Sequence, residues 1–266
     1  MSASTGLRML TRIGFAARGL LYIAIALLLI RSGRSEDTGG ALAELGRSGG
    51  DPLLLAMAAG FIAYGLWRFA DAALNIEHHD DGAKGVRQRL AAAASGAAYL
   101  FVAWQAYRLV TGAQTGGSGP QERASTALEL PGGALLLVVG GAVLVVAGLY
   151  QLVKAYKCSF CDRLDPVVAN RPSVRLMGRA GYAARGVIFI VSGFFVFSAG
   201  LEERASEAGG IQEALRWLDS PVDLLVAAGL LLFGLFSILE ARFRVIHEVP
   251  LDDVARAAGA ATRPGF

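Results

Sequence analysis

Charged side chains are scarce in this chain of 266 residues, 18% of the total against about 25% in a soluble globular domain. Cysteine is scarcer still, at two residues. Two cysteines exclude a disulfide framework, and both are expected on the reducing side of a membrane. No Ser/His/Asp set, phosphate-binding loop or paired-carboxylate arrangement is visible. Catalysis therefore has no evident machinery, and no cofactor is expected. The alternating ten-residue segments of a transmembrane β-barrel do not occur either. No basic, aromatic-rich soluble module remains outside the apolar runs, so a pI near 9.0 is not read as nucleic-acid binding.

What fills the chain is apolar, with 54% hydrophobic residues. The charges cluster between runs of roughly 17 to 23 residues, the length that crosses a hydrocarbon core about 30 Å thick at about 1.5 Å per residue. Six such spans are placed at about 13–30, 53–74, 90–110, 132–153, 178–199 and 222–239. Backbone in lipid must satisfy its own hydrogen bonds, so uninterrupted runs such as LLYIAIALLLI and ALLLVVGGAVLVVAGL are expected as helices. The first run meets Arg31 without an A-x-A-like cleavage site and recurs later in the chain, which reads as a retained helix and not a secretory leader.

Lys and Arg near helix ends set orientation. With the N-terminus inside, 15 basic residues fall in cytoplasmic segments and 6 in outer loops. Both termini are therefore expected in the cytoplasm, and the surplus positive charge also suits anionic lipid headgroups.

The runs repeat. IGFAARGLLY at 13–22 matches AGYAARGVIF at 180–189, with a degenerate AAAASGAAY at 91–99 between them, which aligns Gly19, Gly96 and Gly186. The following helix repeats as AAGFIAYGLWRFADA at 58–72, VLVVAGLYQLVKA at 143–155 and AAGLLLFGLFSILEA at 227–241, which aligns Gly65, Gly148 and Gly234. The fold expected is all-α: a polytopic membrane protein with six transmembrane helices as three parallel two-helix repeats. The repeats are bounded at 8–80, 85–160 and 175–248, with a cytoplasmic tail at 249–266. Each hairpin also carries an outer loop with a short amphipathic stretch, at 41–45, 126–130 and 211–218. These are expected either flat on the outer membrane surface, with Trp217 at headgroup depth, or packed on the bundle. Small residues such as Gly14, Ala17, Gly60 and Gly140 are expected to let helices approach closely, not to line a pore.

The G-[FY]-A-A-R-G opening and the A-x-G-x-x-x-[YF]-G-L-[WF] second helix resemble a bacterial membrane family catalogued as domain of unknown function 1206, whose members carry three tandem two-helix copies. The resemblance extends from about residue 8 to about 248. It implies a bacterial inner-membrane protein and supplies no activity.

Four ionisable residues fall inside spans at matched repeat positions: Arg18 and Arg185 on first helices, Asp71 and Glu240 on second helices. Such groups cost at least about 2.5–3.5 kcal/mol on insertion scales and normally pair, snorkel or line a polar site. In the middle copy these positions hold Ser95 and Lys154, so acid and base are lost together. That pattern suggests that each arginine pairs with the acid of its own hairpin, Arg18 with Asp71 and Arg185 with Glu240. The pairs are read as structural clips or as a polar cluster lining a solute path. Arg68 and Arg108 are expected to snorkel.

Cys158-Ser-Phe-Cys161 has a spacing that suits a redox dithiol or half a zinc site, and His78 and His79 on the same membrane face would complete a Cys2His2 set. Inert surface residues are the competing reading and the one adopted, with no metal expected. The leading functional expectation is a non-enzymatic membrane protein that supports or partners other cell-envelope components. Its expected partners are the lipid bilayer and other membrane proteins. The competing expectations are a small-solute or ion transporter and a thiol- or metal-dependent membrane enzyme.

Overall fold

A computed structural model describes residues 3–32, 38–75, 82–112, 120–218 and 221–245. Nine helices lie among them: α1 Ala3–Ser32, α2 Thr38–Leu74, α3 Ala83–Val110, α4 Pro120–Leu128, α5 Gly133–Lys157, α6 Pro166–Ala169, α7 Pro172–Leu201, α8 Ile211–Trp217 and α9 Val222–Phe243. No strand occurs among the described residues. The chain is an all-α polytopic membrane protein. Five of the six long helices (α1, α2, α5, α7 and α9) are long and apolar enough to cross a membrane. The sixth, α3, matches them in length with 28 residues but carries Arg87, Gln88, Arg89, Ser95, Gln105 and Arg108, which lower its apolarity. The expected span 53–74 begins where α2 bends. Gly50 adopts φ 68°, a left-handed conformation that a side chain disfavours, and Pro52 starts the straight segment that follows.

The six long helices pack in the order α3, α2, α1, α9, α7 and α5, a ring left open between α3 and α5. Helix α1 packs on α2, α2 on α3, α5 on α7, α7 on α9, and α9 back on α1. The heaviest packing is between copies: α2 on α3, α5 on α7 and α9 on α1. A matched glycine pair explains each joint. A Cβ placed on Gly19 would lie 2.8 Å from the carbonyl oxygen of Gly234, one on Gly96 would lie 3.0 Å from that of Gly65, and one on Gly148 would lie 2.7 Å from that of Gly186. The six aligned glycines thus form three equivalent seams where backbones touch.

Contacts inside a hairpin use other small residues. Gly14 abuts Tyr64 and Gly60 abuts Ala17, and in the third copy Gly181 abuts Phe233 and Gly229 abuts Ala184. The middle copy has Ala91 and Val143 where these glycines stand. Its helices α3 and α5 consequently make almost no contact with each other.

The amphipathic stretches pack on the bundle. Ala41 and Leu42, Ala124, and Ala214 and Leu215 are all buried, and the middle element is centred earlier than 126–130. Trp217 remains 64% exposed. The tail at 249–266 lies outside the described residues.

The seams yield a test. Gly148→Val or Gly186→Val should lower the thermal midpoint in detergent, with an overpacking cost of about 1–3 kcal/mol. Gly140→Val, where a Cβ meets nothing within 4 Å, should leave it nearly unchanged. Equal losses at all three positions would argue against the seams.

Candidate functional site: a buried charge cluster and its aromatic cage

Arg18 is buried at 3% exposure, and each of its three guanidinium nitrogens donates a hydrogen bond. Its Nε donates to Ser237 Oγ at 3.1 Å, Nη1 donates to the Tyr64 hydroxyl at 3.1 Å, and Nη2 donates to Glu240 Oε2 at 2.5 Å. Glu240 accepts a second guanidinium, from Arg244 Nη1 to Oε1 at 2.9 Å. The rings of Phe15, Tyr64 and Phe233 surround Arg18, the closest at 4.4 Å. The cluster is a charge-assisted clamp that ties α1 to α9, the first copy to the third.

This corrects the expected pairing within hairpins. Arg18 bonds Glu240 of the third copy and not Asp71 of its own. Asp71 pairs with Arg68 one turn away at 3.3 Å, so Arg68 does more than snorkel. Arg185 does not reach Glu240, whose two oxygens are held by Arg18 and Arg244. The reason lies in the seams. Each arginine is adjacent to a seam glycine and so faces the neighbouring copy. Arg18 sits beside Gly19, across from α9. Arg185 sits beside Gly186, across from α5, where the acid position is Lys154.

Under this cyclic rule the losses in the middle copy take a different meaning. Ser95 leaves Asp71 without its cross-copy arginine, and Lys154 leaves Arg185 without its acid. Lys154 donates to the Tyr182 hydroxyl at 3.1 Å. Arg185 has no carboxylate partner among the described residues, and its buried Nε finds no acceptor there. Its guanidinium stacks instead over Phe189 at 4.7 Å, Phe233 at 5.0 Å and Tyr22 at 5.5 Å. The sequence aligns these glycines between copies, and only the fold shows that the second helix of one copy meets the first helix of the next.

Aromatic rings fill the space between the helices. Tyr64 meets Tyr99 at 4.5 Å between centroids, Tyr22 meets Phe233 at 4.8 Å, and Tyr182 meets Phe233 at 5.3 Å. Phe160, from the loop after α5, closes this end of the bundle. It is fully buried, stacked on Tyr182 at 5.2 Å and edge-on to Phe236 at 5.0 Å, in a slot that Gly178 leaves open. The loop is tied to the end of α9, with Asp165 N donating to Phe243 O and Val245 N donating to Arg163 O.

Phe160 also accounts for the cysteine spacing. Cys158 ends α5 in a left-handed conformation and Cys161 opens the next turn, so the two thiols straddle the wedge with their sulfurs 2.8 Å apart. Burial, reinforced by the hydrogen bond and charge of Cys158, pushes the Cys161 thiol up to about 11, against the opposing effect of Arg175. His78 and His79 lie outside the described residues, and no group of three or more metal-ligating side chains occurs among the described ones.

Toward the opposite end, a cavity of about 460 Å³ lies between α3 on one side and α5 and α7 on the other, under α4 and the start of α8. Its walls are mainly apolar. Ser192, 8% exposed, lines it with a hydroxyl that has no partner among the described residues.

Two measurements follow. Breaking a buried pair from one side leaves an uncompensated charge, so Arg18→Met or Glu240→Gln alone should cost about 3–5 kcal/mol, and the double variant should cost clearly less than the sum. Arg18→Met combined with Asp71→Asn should be additive, and the reverse ranking would restore pairing within the hairpin. Because the thiolate is the nucleophile, alkylation of Cys161 should be slow at neutral pH and accelerate as pH approaches 11. Fast modification at pH 7 would contradict the half-buried, protonated thiol.

The family model described as Domain of Unknown Function (DUF1206) matches the chain three times, at residues 13–75, 90–157 and 180–244. A Bacillus subtilis (strain 168) protein named "Uncharacterized protein YxxB" is 29% identical over 246 residues, which span 88% of this chain and 90% of that protein. No solved structure matches. With three matched segments covering most of its length, the chain belongs to the DUF1206 family.

Proposed function

We propose that this chain is a non-enzymatic, non-conducting protein of the bacterial inner membrane that supports or partners other components of the cell envelope. It crosses the bilayer six times, with both termini cytoplasmic. The observation that carries this reading is the filled interior. Where a transporter would need a polar path, the bundle holds stacked aromatic rings, the Arg18–Glu240–Arg244 clamp and the Phe160 wedge. Rings packed at 4.5–5.3 Å leave little room for a hydrated solute, and the clamp binds the ends of the chain together across the ring. The ratio of 15 to 6 basic residues supports the orientation.

A small-solute transporter is the second reading, favoured by the cavity of about 460 Å³ and by the cationic Arg185 near it. The thiol-enzyme reading is weakened by the raised pKa of Cys161, which keeps the nucleophile protonated.

Flux through proteoliposomes, measured against a broad panel of ions and small solutes, should not exceed that of empty vesicles. Substrate-specific uptake that Arg185→Gln abolishes, with folding retained, would replace this reading with transport. For topology, single cysteines in a background lacking Cys158 and Cys161 should react with an impermeant maleimide on intact cells at residue 40 and not at residue 85. The opposite labelling would overturn the orientation.

A further inference from the structure

The middle copy has lost its internal glycine contacts, and the cavity occupies the resulting gap, with α3 on one side and α5 and α7 on the other. Helices α4 and α8 cover one end of it and are tied together by Gln121 Nε2 donating to Glu213 Oε1 at 3.2 Å. Phe189 forms the opposite end, and the Arg185 guanidinium lies against that ring without lining the cavity. Among the described residues, no charged side chain lines it. Its lateral side holds Phe101, 40% exposed where α3 and α5 make almost no contact. With α3 crossing the bilayer as proposed above, Phe101 stands midway along the span 90–110, so this opening faces hydrocarbon.

Three uncharged polar side chains line the cavity: Ser192, Gln105 and Thr38. Their depths are ordered. Aligning Gly186 with Gly96 puts Ser192 level with Val102, so Gln105 stands three residues, about 4.5 Å, nearer the covered end. Thr38 opens α2 at that same end. Below Ser192 stand Ala98, Phe101, Ile188 and Phe189, all apolar. Ser192 itself is 8% exposed, and its hydroxyl has no partner among the described residues. A serine within a helix can donate to the carbonyl one turn back, as Ser237 does to Phe233 O at 2.8 Å. Ser192 leaves that bond unmade while lining the cavity.

We propose that this cavity binds an uncharged single-chain ester lipid of the monoacylglycerol class. Its ester carbonyl accepts from Ser192 Oγ, its glycerol hydroxyls exchange hydrogen bonds with Gln105 and Thr38, and its chain runs past Phe101 into the bilayer. The polarity of the lining thus follows the polarity of the ligand from head to chain. A carboxylate or phosphate head would be desolvated here with no cation lining the site to balance it. A plain hydrocarbon would leave the Ser192 donor unanswered. The volume of about 460 Å³ lies toward the lower part of the range of about 300–1,000 Å³ found for ligand pockets, which suits a glycerol head with one chain. This goes beyond the partner reading and draws on the six-span reading only for the route of entry.

The test uses the full-length protein, delipidated in detergent, with labelled monooleoylglycerol as the probe. Saturable binding of about one equivalent is expected. Octadecene, which has no head, and oleate at an alkaline pH that keeps it ionised should each compete at least about tenfold more weakly. Ser192→Ala should weaken the glyceride about two- to tenfold, the loss of one hydrogen bond. The same variant should leave octadecene binding unchanged and melt no lower than the parent protein, because the hydroxyl has no protein partner to lose. A diazirine in the acyl chain should crosslink to α3, α5 or α7. Unchanged glyceride affinity in Ser192→Ala, oleate or octadecene matching the glyceride, or crosslinks confined to other helices would each overturn the proposal. All of these readouts are of binding, so their failure leaves the non-conducting reading standing, and a failure in vesicle flux or in the orientation labelling leaves the binding result standing.

Discussion

Backbone-to-backbone approach at three glycine seams sets the geometry of the whole bundle. In lipid, apolar side chains gain little by leaving one hydrocarbon environment for another, so helices associate through close van der Waals contact and polar bonds. Gly19 against Gly234, Gly65 against Gly96 and Gly148 against Gly186 provide that contact between successive copies. Since the third copy closes on the first by the same device, each repeat is completed by its neighbour and not by itself.

The ionisable residues follow from the seams. A side chain adjacent to a seam glycine is aimed at the next copy, so a charge there must be answered across the seam. One seam answers with a full clamp, Arg18 to Glu240 with Arg244 behind it. At the next, Ser95 requires no answer and Asp71 turns to Arg68 on its own helix. The last seam sets Arg185 against the position of Lys154, and the arginine is left over aromatic faces. Cation–π contact and burial among rings hold such a guanidinium without neutralising it. One architecture thus yields a rigid joint, a neutral joint and a cationic joint from substitutions at two positions.

Much of the architecture was legible in the sequence, because span length and hydropathy are properties of contiguous residues. The spans at 13–30, 178–199 and 222–239 fall within single helices, and the aligned glycines fall at equivalent points of the bundle. Partner choice was not legible in the same way. A helical repeat fixes which residues share a face but not which neighbouring helix that face meets, and this is how Arg18 came to be assigned to Asp71. The wedge at Phe160 was also hidden, since one aromatic in a polar loop carries no periodic signal. Its slot depends on Gly178, 18 residues later. The cavity is legible only in retrospect, as the joint replacement of two glycines by Ala91 and Val143.

The clamp joins residues 222 positions apart in the chain, and that separation bears on biosynthesis. Arg18 enters the membrane with the first helix, long before the ribosome reaches Glu240. At about 5–20 residues per second the interval is on the order of 10–45 s. During that time the nascent chain carries a charged group without its final acceptor, in a medium where such a group costs at least about 2.5–3.5 kcal/mol. Emergence of the last helix relieves that cost and joins the first copy to the third in the same event, so a chain truncated before α9 retains both an unjoined bundle and an unanswered charge.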